Sequence, residues 1–334
     1  MKAVGYTQNL PVTDPACLVD LELPEPQPGP RDLIVEVKAV SVNPVDTKVR
    51  MRAAPPAGAA RILGYDAAGI VKSVGSGVTL FKPGDAVYYA GSRPRQGTNA
   101  ERHAVDERIV GHKPASLTFA QAAAIPLTAI TAWELLFDRL GAHRDSRGAL
   151  LITGGAGGVG SMMIQFARQL TGLTVIATAS RPASRDWCLS LGVHHVIDHT
   201  QPLAQEMKRI GIPEVDLVAS LTHTAKHFAS LHPLIKPQGR FGLIDDPGTL
   251  DAMPLKERCI SLHWEAMFAR STYETPDMIA QHRLLDEVAR LVDAGTLRCP
   301  QSQHYGSINA ANLIRAHALV ESGTSIGKVV LEGF

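Results

Sequence analysis

The chain has 334 residues, 45% of them hydrophobic, and this length exceeds what one hydrophobic core usually supports, so two domains are expected. The 33 Lys and Arg residues nearly balance the 32 Asp and Glu residues, and both signs are interleaved along the chain. This balance disfavours nucleic acid and anionic membranes as partners.

The N-terminal and cysteine patterns predict a cytoplasmic protein. Residues 1–6 give way to the polar residues 7–9 too soon to form the apolar core of a signal peptide. The longest apolar stretch, 120–137, is interrupted by Gln121, Pro126 and Glu134, so no membrane span is expected. The 4 cysteines are far apart and form no C-x-x-C pair, which favours buried free thiols in a reducing compartment.

Residues 1 to about 120 carry short apolar runs separated by proline and glycine, a pattern typical of β structure. Strands are predicted over 33–40, over 69–78 with a turn at its glycines, and over 86–89 after a turn at 82–85. The first third of the chain is therefore expected to be a small antiparallel β domain.

From about residue 125, strands alternate with helices, which predicts parallel βαβ units. A long amphipathic helix is predicted over 278–294, and a final strand over 328–332 is expected to return to the β domain. Before this helix, the strands of the βαβ units are predicted at 150–152, 174–178, 193–197, 215–219 and 240–244.

A glycine-rich turn follows the buried strand at 150–152 and leads into an apolar helix. Gly155, Gly157 and Gly160 match G-x-G-x-x-G, whose glycines permit a tight turn, a close approach to a pyrophosphate and close helix packing. Gly158 and Val159 begin the helix, so their N–H groups are expected to face the phosphates. The sequence therefore predicts a dinucleotide site.

The residues after the second strand of this unit favour NADPH as the cofactor. Sites for NAD usually place Asp or Glu about 20 residues beyond the glycines, to bind the ribose 2′-hydroxyl. This chain has Ser180 and Arg181 there, with no acid until Asp186. A hydroxyl and a guanidinium both bind a 2′-phosphate. The alternative is that Arg181 and Arg185 only solvate the start of a helix.

The order of these elements and five short motifs resembles the medium-chain dehydrogenase/reductase superfamily, and within it the quinone oxidoreductase branch. The resemblance implies an α/β protein with a GroES-like β-barrel catalytic domain at 1–124 and 268–334 and a Rossmann NADP-binding domain, a doubly wound parallel sheet, at 125–267. It also implies a homodimer or a homotetramer. The motifs are 41–46, 63–69, 83–87, 154–160 and 327–331.

The same resemblance raises the question of zinc, because related proteins are labelled zinc-type alcohol dehydrogenases. Zinc-dependent members place a Cys where this chain has Asn43, a His-Glu pair at Tyr65–Asp66 and a third ligand near Leu127. Asn, Tyr and Leu are poor zinc ligands, and 91–102 has no cysteines for a structural zinc lobe. We therefore expect no bound metal.

Two pairs of histidines with four-residue spacing are a further metal candidate. His195 with His199, and His223 with His227, would each lie on one face if their segments were helical. No Cys or Glu at ligand spacing completes either set, and H-E-x-x-H is absent from the sequence. Surface or cofactor-adjacent positions are favoured for these residues.

The resemblance also implies site residues. Asn43 and Tyr65 are expected to donate to a developing oxyanion, with Tyr65 or solvent as proton source, whereas Asp46 is expected to fix loop geometry through nearby backbone or Lys48. The full set is Asn43, Asp46, Tyr65 and Thr128 around the substrate, and Thr131, His199 and Lys328 beside the cofactor.

These residues predict an NADPH-dependent reductase of quinones or α,β-unsaturated carbonyls. Without zinc there is no Lewis acid to activate an alcohol, but hydride addition to a conjugated acceptor delocalises the charge onto oxygen, where a few neutral donors suffice. Two alternatives stay open: a zinc-type alcohol dehydrogenase, and a non-catalytic NADPH-binding redox sensor.

Overall fold

The computed structural model describes residues 1–55 and 57–334. The strands are β1 (Lys2–Tyr6), β2 (Val19–Glu22), β3 (Asp32–Val42), β4 (Arg61–Ile62), β5 (Ala67–Val74), β6 (Ala86–Tyr89), β7 (Arg102–Asp106), β8 (Val110–His112), β9 (Ala149–Ile152), β10 (Thr174–Thr178), β11 (His195–Ile197), β12 (Val215–Ser220), β13 (Ile235–Leu243), β14 (Ser261–Trp264), β15 (Gln301–His304) and β16 (Lys328–Glu332). The α-helices are α1 (Pro44–Arg52), α2 (Phe119–Ala123), α3 (Pro126–Trp133), α4 (Gly158–Leu170), α5 (Pro182–Ser190), α6 (Leu203–Arg209), α7 (Thr224–Leu231), α8 (Ala269–Thr272), α9 (Ala280–Asp293) and α10 (Ala310–Glu321).

The chain forms two compact units. Unit 1 comprises Met1–Ile130 and Phe268–Phe334, and unit 2 comprises Thr131–Met267. The chain leaves unit 1 within α3 and re-enters it just before α8.

Unit 1 is built around a largely antiparallel sheet. Its strands lie in the order β15-β16-β3-β5-β6-β8, with β7 also pairing with β3, and a smaller sheet has the order β2-β1-β4. The C-terminal strand β16 pairs antiparallel with β3, so that Val329 faces Val42. The predicted return of the last strand to the β domain is therefore confirmed, and it brings Lys328 next to the segment after β3.

Unit 2 is a doubly wound parallel sheet with strand order β11-β10-β9-β12-β13-β14. Every residue of β9 is buried, as expected for a strand covered by helices on both faces. The chain runs outward from β9 in one direction through β10 and β11, and then in the other through β12. Ligands of such sheets bind at the carboxyl ends of the strands around this reversal. The predicted fold, a GroES-like domain with a Rossmann domain, is confirmed.

The predicted elements match closely, apart from the start of one strand and the burial of two cysteines. The strand predicted at 240–244 begins earlier, at Ile235, and the predicted helix at 278–294 is α9. All 4 cysteines are free, as expected, but only Cys17 and Cys188 are buried; Cys259 is exposed. The stretch Phe119–Arg139 is long and apolar enough to cross a membrane, yet 83% of its most apolar window is buried inside the protein, as in a core helix.

Candidate cofactor and substrate sites

The glycine turn of unit 2 lies between β9 and α4, where the sequence predicts it. Gly157 is the N-cap residue of α4. A Cβ on Gly160 would lie 2.5 Å from the carbonyl oxygen of Gly154 and 2.6 Å from that of Gly155. A Cβ on Gly155 would lie 2.6 Å from Cβ of Ala177. Packing inside the protein therefore requires glycine at 155 and 160.

Gly157 differs from its neighbours in this turn. Its backbone has an ordinary φ of −73°, and a Cβ there would meet only the Gly154 carbonyl oxygen, at 3.5 Å. Neither backbone strain nor packing within the protein demands glycine at this position. A side chain would instead fill the space at the N-terminus of α4, where N–H groups and the helix dipole favour an anion. The turn thus fits the pyrophosphate of a dinucleotide.

Positive charge gathers at the carboxyl ends of β10 and β11. Arg181 is exposed and is the N-cap residue of α5, next to the half-buried Ser180. His199 follows β11, and its Nδ1 is buried without a hydrogen-bond partner among residues 1–55 and 57–334. Burial lowers the pKa of His199, and the cations Lys226 and Arg181 lower it further. This set of groups fits a phosphate.

The acidic residue that acts on His199 is Asp198, which follows β11. Asp198 raises the pKa of His199, but its Oδ1 accepts hydrogen bonds from the backbone N–H of Thr200, at 2.9 Å, and from the Thr200 hydroxyl, at 2.8 Å. The carboxylate is therefore engaged by the turn that follows β11. No acidic residue stands at 180 or 181, where a site for NAD would usually carry one.

The helical-face interpretation of the histidine pairs is wrong. His195 lies on β11 and His199 beyond its end, while His223 precedes α7 with a left-handed φ of 53°. The rings that meet are those of His199 and His227, with centroids 6.0 Å apart. His199 and His227 are 28 residues apart in sequence, so local spacing cannot pair them, which explains the error.

Unit 1 carries a buried cluster of polar side chains beside the end of β3, which we call the ammonium cluster: Asn43, Asp66 and Lys328. The Nζ of Lys328 donates to the carbonyl oxygen of Val42 at 2.9 Å, to Oδ1 of Asn43, and to Oδ2 of Asp66 at 3.0 Å. Nδ2 of Asn43 donates to Oδ2 of Asp66 at 2.8 Å. Each member is at least 96% buried, because their exposures are 1%, 0% and 4%.

Asp66 is surrounded by donors. Its Oδ1 accepts the backbone N–H of Leu127 at 2.7 Å, in addition to the two bonds to Oδ2. Burial raises the pKa of Asp66, and the Lys328 ammonium opposes that rise. Since both oxygens act as acceptors, the cluster suits the carboxylate form.

The ammonium cluster does not fit a catalytic zinc. Zinc needs three protein ligands among Cys, His, Asp and Glu, whereas the corresponding positions hold Asn43, Tyr65 and Asp66, and a cation already binds the carboxylate. Among the described residues, no three such side chains are grouped so that they could hold a metal ion. No catalytic step is therefore derived through zinc.

The bonding of Asn43 and Lys328 departs from the roles that the resemblance implied. The Asn43 amide is engaged on both sides, by Lys328 and by Asp66, so it has little capacity left to donate to an oxyanion. The Lys328 ammonium already makes three hydrogen bonds, all within unit 1. Its contact with the cofactor stays a prediction, and both residues act here as positioning groups.

Asp46 joins the two loops that hold the predicted substrate residues. Its Oδ2 accepts the backbone N–H of Asn43 at 2.8 Å, and its Oδ1 accepts that of Gly64 at 2.9 Å. This is the backbone-bonding role expected for Asp46. Burial raises the pKa of Asp46 to about 7, with a further rise from nearby Asp66.

Tyr65 and Thr128 are buried near these loops. The Tyr65 ring packs edge-on against Phe268, with centroids 5.2 Å apart, and its hydroxyl donates no hydrogen bond to the described residues. Burial raises the pKa of Tyr65, while the Arg61 guanidinium lowers it. The Thr128 hydroxyl donates to the Ile125 carbonyl oxygen at 2.9 Å. In unit 2, Thr131 is also buried. Among the predicted substrate residues, Tyr65 therefore has a hydroxyl that is available to donate to a ligand.

Two further polar groups escaped prediction from the sequence. Lys226, on α7, was not predicted; it acts on His199 beside His227, for which a surface or cofactor-adjacent position was expected. The cation-rich segment after the fourth strand was the available signal. Glu134 and Glu265 form a buried pair whose mutual repulsion and burial raise the pKa of Glu265 to about 9. Arg139 donates to Glu265 at 2.9 Å. No local pattern links residues so far apart in sequence.

A glycine turn before a helix on a parallel sheet, together with a GroES-like β domain, defines a nucleotide-dependent dehydrogenase or reductase. The chain belongs to the medium-chain dehydrogenase/reductase superfamily. Residues 29–133 match the family model for an alcohol dehydrogenase GroES-like domain, and residues 191–331 match that for a zinc-binding dehydrogenase.

Individual relatives agree with this assignment. A zinc-type alcohol dehydrogenase-like protein of Staphylococcus aureus (strain MRSA252) is 38% identical, over 99% of both chains. The crystal structure of a putative zinc-dependent alcohol dehydrogenase from Rhizobium etli CFN 42 is 59% identical over 100% of this chain and 98% of that chain, with a TM-score of 0.97. Escherichia coli quinone oxidoreductase complexed with NADPH is 25% identical over 99% of this chain and 100% of that chain, with a TM-score of 0.84.

Proposed function

We propose that this protein is an NADPH-dependent reductase of quinones or α,β-unsaturated carbonyls that works without zinc. The observation that carries the proposal is the ammonium cluster, in which Lys328 supplies the positive charge next to Asp66 that a metal ion supplies in zinc enzymes. A saturated ammonium neutralises the carboxylate, but it offers no open coordination position for an alcohol or carbonyl oxygen.

The chain's own residues divide into binding and positioning roles. The turn at 154–160 binds the pyrophosphate through backbone N–H groups, with Gly157 leaving the space for it. Asp46 and the ammonium cluster hold the loops at 41–46 and 63–66 in place. When bound, the reduced nicotinamide supplies the hydride.

This division favours conjugated acceptors. Hydride addition to a conjugated carbon places the charge on oxygen with delocalisation, so modest donors are sufficient for stabilisation. We assign the Tyr65 hydroxyl as donor to that oxygen, since it donates to no acceptor among the described residues. The raised pKa of Tyr65 keeps the hydroxyl protonated at neutral pH, so it is able to donate. Solvent is the alternative source of the proton.

The preference for NADPH rests on Ser180, Arg181 and His199. A guanidinium and a hydroxyl both bind a 2′-phosphate. No Asp or Glu stands at 180 or 181, at the carboxyl end of β10, to repel that phosphate. The structural similarity to a quinone oxidoreductase complexed with NADPH supports the same cofactor.

We also propose a cytoplasmic homodimer, with a homotetramer as the alternative. The strand β14 is at one end of the unit 2 sheet, and its Trp264 is 53% exposed. An edge strand with an exposed aromatic side chain is suited to pairing with a second copy. Light scattering after size-exclusion chromatography distinguishes monomer, dimer and tetramer, and a monomer would contradict this proposal.

The test is oxidation of NADPH, with NADH in parallel, against ortho- and para-quinones, enones, simple aldehydes and alcohols with NADP⁺. We expect turnover with quinones or enones and a preference for NADPH. Turnover confined to alcohols and aldehydes would instead favour an alcohol dehydrogenase. Tight NADPH binding by calorimetry without any turnover would favour the redox sensor.

The donor role of Tyr65 has a matched control. Tyr65→Phe keeps the ring that packs on Phe268 and removes the hydroxyl, whereas Tyr88→Phe removes a buried hydroxyl bonded to the Leu285 carbonyl oxygen. Tyr65→Phe is expected to lower kcat about 10- to 100-fold with little change in unfolding temperature. An unchanged kcat in Tyr65→Phe would assign the proton to solvent.

A further inference from the structure

The start of α7 places further histidines beside His199 at the carboxyl end of β11. His223 precedes α7, and Lys226 and His227 lie in its first turn. The rings of His199 and His227 meet edge to face, with an interplanar angle of 77° and centroids 6.0 Å apart. We call these two rings the imidazole pair.

Lys226 and Arg181 are the permanent cations around the imidazole pair, and His223 adds a third histidine ring. Besides burial, Lys226 and His223 from the α7 segment and Arg181 from the start of α5 lower the pKa of His199. Asp198, from its own segment, raises it. Besides burial, the pKa of His227 is lowered by His199, Lys226 and His223. Asp198 opposes these cations, but its Oδ1 is held by Thr200.

Burial and these cations hold the pKa of both histidines below 6.5. Both rings are therefore mainly neutral at neutral pH. Two imidazolium ions at this separation would also repel each other, so a proton on one ring disfavours a proton on the other. An added dianion changes the balance, because it attracts a proton to whichever ring contacts it.

We propose that the imidazole pair recognises the 2′-phosphate by taking up a proton when the phosphate binds, so that selectivity for the phosphorylated cofactor rises as pH falls. The inference rests on the NADPH site of the proposed function and adds its pH regulation. In the balanced step, the dianionic phosphate and one proton from solvent enter together, and His199 or His227 becomes an imidazolium that donates to a phosphate oxygen.

The buried Nδ1 of His199 gives this step its geometry. It has no hydrogen-bond partner among the described residues, so a proton there disrupts no existing bond. His227, packed against the same ring, accepts or shares the charge. NADH, which lacks the 2′-phosphate, provides no dianion and is expected to bind without proton uptake.

The experiment is isothermal titration calorimetry of the full chain with NADPH and with NADH, between about pH 6.5 and 8, where a phosphate monoester is mainly dianionic. Each titration is repeated in two buffers of different ionisation enthalpy, so that the protons taken up are counted. We expect up to about one proton per NADPH, none per NADH, and an NADPH:NADH affinity ratio that rises about tenfold from the upper to the lower pH.

Three variants assign the effect. His199→Gln and His227→Gln are each expected to abolish or halve proton uptake, whereas His143→Gln, an exposed histidine at the opposite end of the sheet, leaves it unchanged. The wild-type titration is itself decisive if a variant fails to fold. NADPH binding that is tight but free of proton uptake overturns this inference and leaves the reductase proposal intact.

Two other outcomes are informative. Uptake that persists in both variants of the imidazole pair would overturn its assignment. Failure of the wild-type protein to bind NADPH at any pH would overturn the proposed cofactor, and with it this inference.

Discussion

Two groups of polar side chains, one in each unit, are bonded in opposite ways. In unit 1, the buried Asn43, Asp66 and Lys328 saturate one another, with three hydrogen bonds to the ammonium alone. In unit 2, the turn at Gly157 has space that no protein atom requires, and His199 has a buried nitrogen without a partner among the described residues.

The difference separates positioning from binding. Burying a polar group is costly unless it is hydrogen-bonded, so a closed cluster is explained by the fold itself. A polar group that stays unsatisfied, or a glycine that packing does not require, needs a ligand to explain it. This criterion supports the proposal that unit 2 binds the cofactor phosphates and that the ammonium cluster positions the substrate loops.

The largest effect is expected from disrupting the ammonium cluster. Lys328→Met removes the cation from beside the buried Asp66 carboxylate, and is expected to destabilise the protein by about 3–5 kcal/mol. Lys72→Met is the control, because Lys72 is 48% exposed in its ion pair with Glu36 and should cost about 0–1 kcal/mol. Urea unfolding measures both. Equal costs would mean that the cluster contributes no more than a surface pair.

The glycine turn provides a matched pair of variants with opposite expected outcomes. Gly160→Ala forces a Cβ to 2.5 Å from a carbonyl oxygen and should destabilise the fold by about 1–3 kcal/mol. Gly157→Ala meets nothing closer than 3.5 Å, so the unfolding temperature should hold while NADPH affinity falls about 10- to 100-fold. Thermal unfolding and calorimetry check each variant. Unchanged NADPH affinity in Gly157→Ala would show that this space is not the cradle.

The Glu134–Glu265 pair tests how two buried carboxyl groups in unit 2 affect stability. Burial raises the pKa of Glu265 from 4.5 to about 9, so folding retains a proton that the unfolded chain releases. Its contribution to stability is complete below pH 4.5 and is lost as pH rises towards 9. Over that window, stability should fall by up to about 1.4 kcal/mol per pH unit.

Glu265→Gln keeps the shape of the side chain and removes its titration. The pH dependence of unfolding should be shallower in this variant between pH 5 and 8. Glu287→Gln, which lies in a surface ion pair with Arg290, should leave the slope as in the wild type. A wild-type stability that rises over this window, with the same slope in Glu265→Gln, would contradict the assignment.

The smallest effect is expected at Arg181, one of the residues that we propose bind the 2′-phosphate. Arg181→Gln should weaken NADPH binding about fivefold, a cost of about 1 kcal/mol for an exposed guanidinium, and leave NADH binding unchanged. Arg185→Gln, one turn further along α5, serves as the control. Equal and small effects of both would support the alternative that these arginines only solvate the helix start.

The parts predicted from sequence were those fixed by local pattern. Alternating and continuous apolar runs located β3, β9 and β10, and glycine spacing located the turn before α4. Asp46 was expected to bond nearby backbone, and it does so. Each of these depends on residues close together in the chain.

The parts that escaped prediction depend on tertiary proximity. The contact of Lys328 with Asp66 spans 262 residues, and it follows from the pairing of β16 with β3. The four-residue spacing of the histidines suggested the wrong partners, because β11 and α7, rather than one helix, present the rings that meet. Local periodicity carries no information about either contact.

The measurement that tests the account most directly is the zinc content of the purified enzyme, taken with its NADPH-dependent turnover before and after dialysis against a chelator. The account predicts far less than one zinc per chain and a kcat/KM that chelation leaves unchanged. One zinc per chain, with turnover that is lost on its removal and restored by its addition, would contradict the role assigned to Lys328 and Asp66.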